Sequence, residues 1–305
     1  MSTFEFVIAA GVGLAAPLLW AALGELVSEK SGTLNLGIEG VMGLGVLGAA
    51  LGYQKFESIT MALLFAVALG LAAGVVLAVL YVFIGTDQIV TGILFSMVAI
   101  GTATVVAGAT LRSPRAHSLA PVDVPLLGRT PLLGSILFRQ NVLVYFAIVM
   151  VPVIWFVMNR TWFGLHVRAV GHRARVLESA GLSVRRTRSM ALVLSCVFVA
   201  VGGATLTLST ASTYQPGTTA GRGYIALVIV VLARWNPWGV ALGALLFGTA
   251  QALQFQVEAI SWLSGVPFQF VLMAPYAVAV IAVVILRGSR YPASVGLPYR
   301  PAESH

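Results

Sequence analysis

Charge is the scarcest thing in this chain. Only 9% of its 305 residues are Asp, Glu, Lys or Arg, whereas an ordinary soluble domain carries about 25%. Water therefore cannot solvate most of the surface, and lipid must. Cysteine occurs once, at Cys196, which excludes an intramolecular disulfide; inside an apolar run this residue reads as small packing material. Lysine is confined to Lys30 and Lys55, and neither stands in a Gly-x4-Gly-Lys-Ser/Thr phosphate loop, so any ATP must be bound by another chain. The four histidines, His117, His166, His172 and His305, fall in expected loops or the tail without a pair at metal-ligand spacing, which argues against a zinc site. A Gly-x-Ser-x-Gly elbow is missing, and Ser264 has no histidine at membrane depth to activate it, so an intramembrane hydrolase has little support. The first apolar run lacks the basic segment of a cleaved leader and is expected to remain as a span.

What is present is a series of long apolar runs, at about 4–27, 33–53, 58–84, 88–110, 141–158, 189–211, 237–256 and 268–287, with a shorter one at 223–234. Windows of about 20 such residues cross a hydrocarbon core of about 30 Å. The expected architecture is all-α and polytopic, a single membrane domain over residues 1–305 with about nine crossings and some short or broken helices. The net charge of +8 does not point to nucleic acid, because the basic residues gather beside the spans. Seven arginines lie between Arg160 and Arg188, with Glu178 the only carboxylate there. By the positive-inside bias the loop 159–188 and the tail 288–305 are expected in the cytoplasm. The N-terminus and loop 111–140 then lie outside. That loop carries four arginines of its own against the bias, and four prolines that break any continuous helix; it reads either as a plain connector or as an ordered contact surface.

Glycines at 37, 40, 43, 45, 48 and 52 leave one side of the second run almost bare, and Gly70/Gly74 and Gly239/Gly243 repeat the small-xxx-small spacing, so close helix packing is expected. Asn35 and Asn236 each precede a glycine-rich helix, and Asn236-Pro237 has the form of an N-cap followed by proline at the first helical position. Ionisable groups at membrane depth are costly and are functional candidates by default. Glu39 lies well inside an apolar run: it either lines a solute path or fixes an interhelical network, or else it binds backbone at a broken helix start. Glu25, Asp87, Arg222, Arg234 and Glu258 fall at span ends, where interface placement accounts for them. One mid-membrane carboxylate is few for a proton-coupled secondary carrier, the alternative class.

Three segments in order, Gly24-Glu-Leu-Val-Ser-Glu-Lys-Ser-Gly-Thr-Leu-Asn-Leu-Gly-Ile-Glu-Gly40, Gly171–Leu182, and Gly221-Arg-Gly-Tyr-Ile-Ala-Leu227 leading into Arg234-Trp-Asn-Pro237, resemble the membrane subunits of ABC importers for simple sugars and nucleosides. The resemblance extends to Gly134-Ser-Ile-Leu-Phe-Arg-Gln-Asn141 and is closest to the branch partnered with nucleoside-binding lipoproteins. It implies a permease subunit of the plasma (inner) membrane that is not an enzyme and carries no cofactor, with ATP on a partner subunit. Implied partners are an ATP-binding subunit, a second permease chain, related or identical, and an outer lipoprotein receptor meeting loop 111–140 and Ser212–Arg222. The segment Gly171, His172, Arg173, Ala174, Arg175, Glu178, Ala180 and Gly181 corresponds to a coupling helix for the ATPase, with a small apolar side at Ala174, Ala180 and Leu182. A path for a nucleoside, or alternatively a simple sugar or branched-chain amino acid, would be lined by Asn35, Glu39 and Gln88, with Asn236 behind them.

Overall fold

The computed structural model describes residues 3–111, 119, 122–123, 139–211, 215 and 217–256, with isolated positions at 273, 277, 280, 284 and 295–296. Apart from these isolated positions, the expected last crossing at 268–287 and the tail 288–305 lie outside the described residues, as do Glu258 and most of loop 111–140. Among the described residues are ten α-helices: α1 (Thr3–Lys30), α2 (Ile38–Phe56), α3 (Ile59–Ala78), α4 (Gln88–Thr110), α5 (Val142–Arg160), α6 (Trp162–His172), α7 (Ala174–Ser179), α8 (Val184–Thr205), α9 (Arg222–Leu232) and α10 (Pro237–Gln256). Wider π-helical turns, Val79–Ile84 and Leu206–Ala211, extend α3 and α8. Two-residue strands β1 (Val122–Asp123) and β2 (Arg139–Gln140) pair antiparallel. The protein is all-helical and polytopic, as its composition requires.

Among the described residues, five helical stretches are long and apolar enough to cross a membrane: Val7–Lys30, Ile59–Ile84, Gln88–Thr110, Val142–Arg160 and Val184–Ser209. Large apolar side chains such as Leu64, Val75, Leu94, Val98 and Val105 point outward, which suits lipid. Two of the apolar runs do not form a helix over their whole crossing. The run 33–53 opens with non-helical chain and becomes helical only at Ile38, and α9 has 11 residues, a rise of about 16 Å that covers half a bilayer.

The bundle is built around α1 and α8. α1 packs along α10 and α8, and α8 lies against α3 and α2. Glycine makes these approaches possible: a methyl group on Gly45 would overlap the Ala200 backbone, one on Gly48 would meet Ala66, and one on Gly203 would meet Met42. The glycines of α2 are thus covered by α3 and α8, and by α4 at Gly40, where a methyl would meet Ser96. Polar contacts define the two ends. At one end Gln54 donates to the Thr110 carbonyl, and Gln140 donates to that of Ala9. At the other, Leu34 reaches Gln88, Arg185 lies over Phe83, and Gly171 abuts Lys30.

Candidate functional site

Between α1 and α2 the chain turns back into the bundle as residues 31–37, without helical hydrogen bonds of its own. Non-helical backbone at membrane depth persists only where protein satisfies its polar groups, and here side chains from two helices, α1 and α4, do so. Ser28 Oγ donates to the Thr33 carbonyl at 2.8 Å. Gln88 Oε1 accepts from Leu34 N at 2.8 Å, and Glu25 Oε1 accepts from Asn35 N at 3.0 Å. Ser96 Oγ donates to the Leu36 carbonyl and accepts from Gly40 N, both at 3.2 Å. Ser195 Oγ donates to the second Glu25 oxygen at 3.4 Å. Asn35 Nδ2 lies 3.7 Å from Cys196 Sγ, and Cys196 is fully buried as a packing residue.

A second interruption faces the first. The chain re-enters through Gly217–Gly221, and α9 starts inside the bundle at Arg222. The unsatisfied N–H groups of a helix start form a donor site that takes an anionic acceptor, and Glu39 from the first turn of α2 fills it. Its oxygens accept from Gly221 N at 2.8 Å and Gly223 N at 2.7 Å, and a side chain at Gly223 would collide with Glu39 itself. Glu39 is 5% exposed. It does bind backbone at a broken helix start, but the start belongs to α9 rather than to its own helix.

The far end of α9 is also held. Arg234 N donates to Val231 O and Trp235 N to Val230 O, the two bonds of a Schellman termination, for which glycine is the usual residue. Here Arg234 (φ 50°) and Trp235 (φ 56°) take the left-handed conformation instead, at about 1–2 kcal/mol each. The turn aims the indole inward, and Trp235 Nε1 donates to Glu29 Oε2 at 2.6 Å. Glu29 is 1% exposed.

The arginine-rich segment forms two helices rather than one, broken at Arg173. α7 ends as its sequence requires: Gly181 (φ 73°) donates to Glu178 O, and Leu182 N to Leu177 O. Leu177 anchors the segment against Val170 and Val184, with Ala174 packed beside them. Outward lie His172, Arg173, Arg175, Val176, Ala180 and Leu182. The apolar outer side is therefore Val176, Ala180 and Leu182, since Ala174 faces in.

Asn35, Gln88 and Glu39 come together around the two interruptions. Asn236 does not join them; it is exposed at the other end of α9, where its side chain accepts from Trp238 N at 3.1 Å and caps α10. Asn35 is no cap, because α2 begins after Gly37 without a side-chain cap. Asp87 caps α4 through Ile89 N and Val90 N. Glu25 is fully buried, not at an interface as its position suggested, and Glu29 was not foreseen. Their spacing of four, with Ser28 between them and Ser31, Thr33 and Asn35 after them, is the sequence signal of an inward polar face.

A lipid-solvated helical bundle whose crossings are interrupted where polar side chains converge is a membrane transport subunit, and it lacks a nucleotide-binding motif. The chain belongs to the family described as branched-chain amino acid transport system, permease component, which matches residues 7–287. It is a permease component of an ABC importer, a multi-pass protein of the cytoplasmic membrane without catalysis of its own. This sets the secondary-carrier class aside. Such a permease works with an ATPase, which holds the ATP, and with a binding protein. The chain is similar to the putative glucose ABC transporter permease protein TsgC13 of Haloferax volcanii, at 33% identity over 86% of this chain and 80% of that protein. It is also similar to the guanosine ABC transporter permease protein NupQ of Bacillus subtilis, 30% identical over 97% and 96% of the two chains. The nucleoside ABC transporter permease protein NupC of Lactococcus lactis is 28% identical over 98% of both. No solved structure matches the chain.

Proposed function

We propose that this permease carries a nucleoside inward, with Asn35, Glu39 and Gln88 beside the path and the segment Gly171–Gly181 docked on the ATPase. The observation that carries the reading is the meeting of the two chain interruptions at Glu39, where the bundle gathers amide, hydroxyl and carboxylate groups of the kind that ribose hydroxyls and base edges require. The near full-length similarity to guanosine and nucleoside permeases supports the cargo. In this reading loop 159–188 and the tail 288–305 are cytoplasmic, loop 111–140 is outside and meets a lipoprotein receptor, and a second permease chain, related or identical, completes the conduit. The exposed Val176, Ala180 and Leu182 enter a groove of the ATPase while Arg173 and Arg175 pair with an acidic rim.

Co-reconstitution with an ATPase subunit, a second permease chain and a lipoprotein receptor tests this. Labelled guanosine or another nucleoside is expected to accumulate in proteoliposomes on ATP addition. Uptake of glucose but not of nucleosides would replace the cargo with a simple sugar, the reading that the Haloferax relative favours.

A further inference from the structure

We infer that α9 is the strut that carries movement of the coupling segment to Glu39, and that the Glu29–Trp235 hydrogen bond is its drive joint. Glu29 and Trp235 are positioning residues in this scheme: they act through α9 and need not touch cargo. The inference rests on the proposed docking of Gly171–Gly181 to the ATPase and extends it into the bundle.

The joints follow one another without a gap. At the first, the last turn of α6 presses on the last turn of α1 so closely that a methyl on Gly171 would overlap the Lys30 carbonyl oxygen and come within 3.4 Å of Gly32 N. The next residue back along α1 is Glu29, whose Oε2 holds the Trp235 indole at 2.6 Å. Trp235 is 6% exposed, so this bond is shielded from competing water. From there α9 runs as a rigid helix to Gly221 and Gly223, whose N–H groups are held by Glu39 at 2.8 and 2.7 Å. Both ends of the strut are turns in the left-handed region, Ala220 (φ 44°) with Gly221 (φ 77°) at one and Arg234 with Trp235 at the other. Such turns are where a short helix can pivot while its interior stays intact. A displacement of Lys30 by the coupling segment therefore moves Trp235, and α9 delivers that motion to the carboxylate at the two chain interruptions.

The test uses the complete complex in proteoliposomes. Trp235→Phe removes the indole N–H and keeps an aromatic ring, Glu29→Leu removes the acceptor, and Glu29→Gln keeps an acceptor oxygen. Trp235→Phe and Glu29→Leu are expected to co-purify with the ATPase as the unmodified chain does. Their receptor-stimulated uptake should fall by a factor within about 5–150, the range of ordinary coupling energies. Glu29→Gln should recover most of it, and the double variant Glu29→Leu/Trp235→Phe should be no worse than either single change. A spin-label pair at the exposed positions Lys55 and Gln215, neither of them on the coupling segment, gives a readout independent of yield: binding of a non-hydrolysable ATP analogue should change the distance in the unmodified background but not with Trp235→Phe. Undiminished uptake by Trp235→Phe, or the same distance change in both backgrounds, overturns the inference. Failure of the underlying reading looks different, because Leu182→Asp would then leave ATPase co-purification intact.

Discussion

Glu39 shows how much one side chain settles in a lipid-solvated bundle. It is the carboxylate that sequence reasoning singled out, and its two oxygens close the start of α9. A buried donor deprived of its acceptor costs about 1–3 kcal/mol, so Glu39→Ala should lower stability by about 2–6 kcal/mol. Glu39→Gln, which keeps one carbonyl oxygen, should lose roughly half as much. Unfolding of the purified chain in detergent, followed by tryptophan fluorescence, measures both. Equal stability of Glu39→Ala and the unmodified protein would mean that water or another group takes over the Gly221 and Gly223 N–H groups. Glu25 and Glu29 teach the complementary lesson. Their place near the end of an apolar run suggests the interface, because hydropathy reports position along a span and not which way a side chain turns. The return of residues 31–37 into the bundle, together with Ser195 against Glu25 and Trp235 against Glu29, buries them.

At the scale of elements, glycine position separates packing from lipid contact. On α2 the glycines are where other helices come closest, α4 at Gly40, α8 at Gly45 and α3 at Gly48 and Gly52, and their spacing was a sound guide there. On α4 the same residue means something else: a methyl group added at Gly101 or Gly108 would find nothing within 4 Å. Gly45→Ala forces a methyl into the Ala200 backbone, an overpacking cost of about 1–3 kcal/mol. Gly101→Ala replaces a helical glycine in open space and should be neutral or stabilising by up to about 1 kcal/mol. Thermal size-exclusion of fluorescently tagged variants ranks the two; the prediction fails if Gly101→Ala is the more damaging. The arginine-rich segment was legible in part. Its C-terminal glycine announced the end of α7, while the break at Arg173 and the inward turn of Ala174 follow from tertiary anchoring by Leu177, which local sequence does not encode.

For the molecule as a whole, the apolar runs prescribe a polytopic helical bundle, and the described helices occupy eight of the nine runs. What the runs could not supply is the depth at which α2 and α9 begin, since a broken span and a continuous one share the same hydropathy. Sidedness follows from how the ends are tied together. Lys30, Gln88, Gly171 and Arg185 belong to one end through the contacts Gly171 to Lys30, Leu34 to Gln88 and Arg185 to Phe83. Phe56, Glu57 and Thr110 mark the other, through Gln54 and Thr110. With seven arginines between residues 160 and 188, the first end should face the cytoplasm. Cys196 is fully buried, so the unmodified chain offers a nearly silent background for thiol labelling. Exposed positions 175 and 57 then report the two ends separately. In intact cells a membrane-impermeant maleimide should modify Glu57→Cys and leave Arg175→Cys untouched, and in inverted vesicles stripped of the ATPase the pattern should reverse. Labelling of Arg175→Cys from outside would place the arginine-rich surface beyond reach of any ATPase, and the coupling scheme would fall with it.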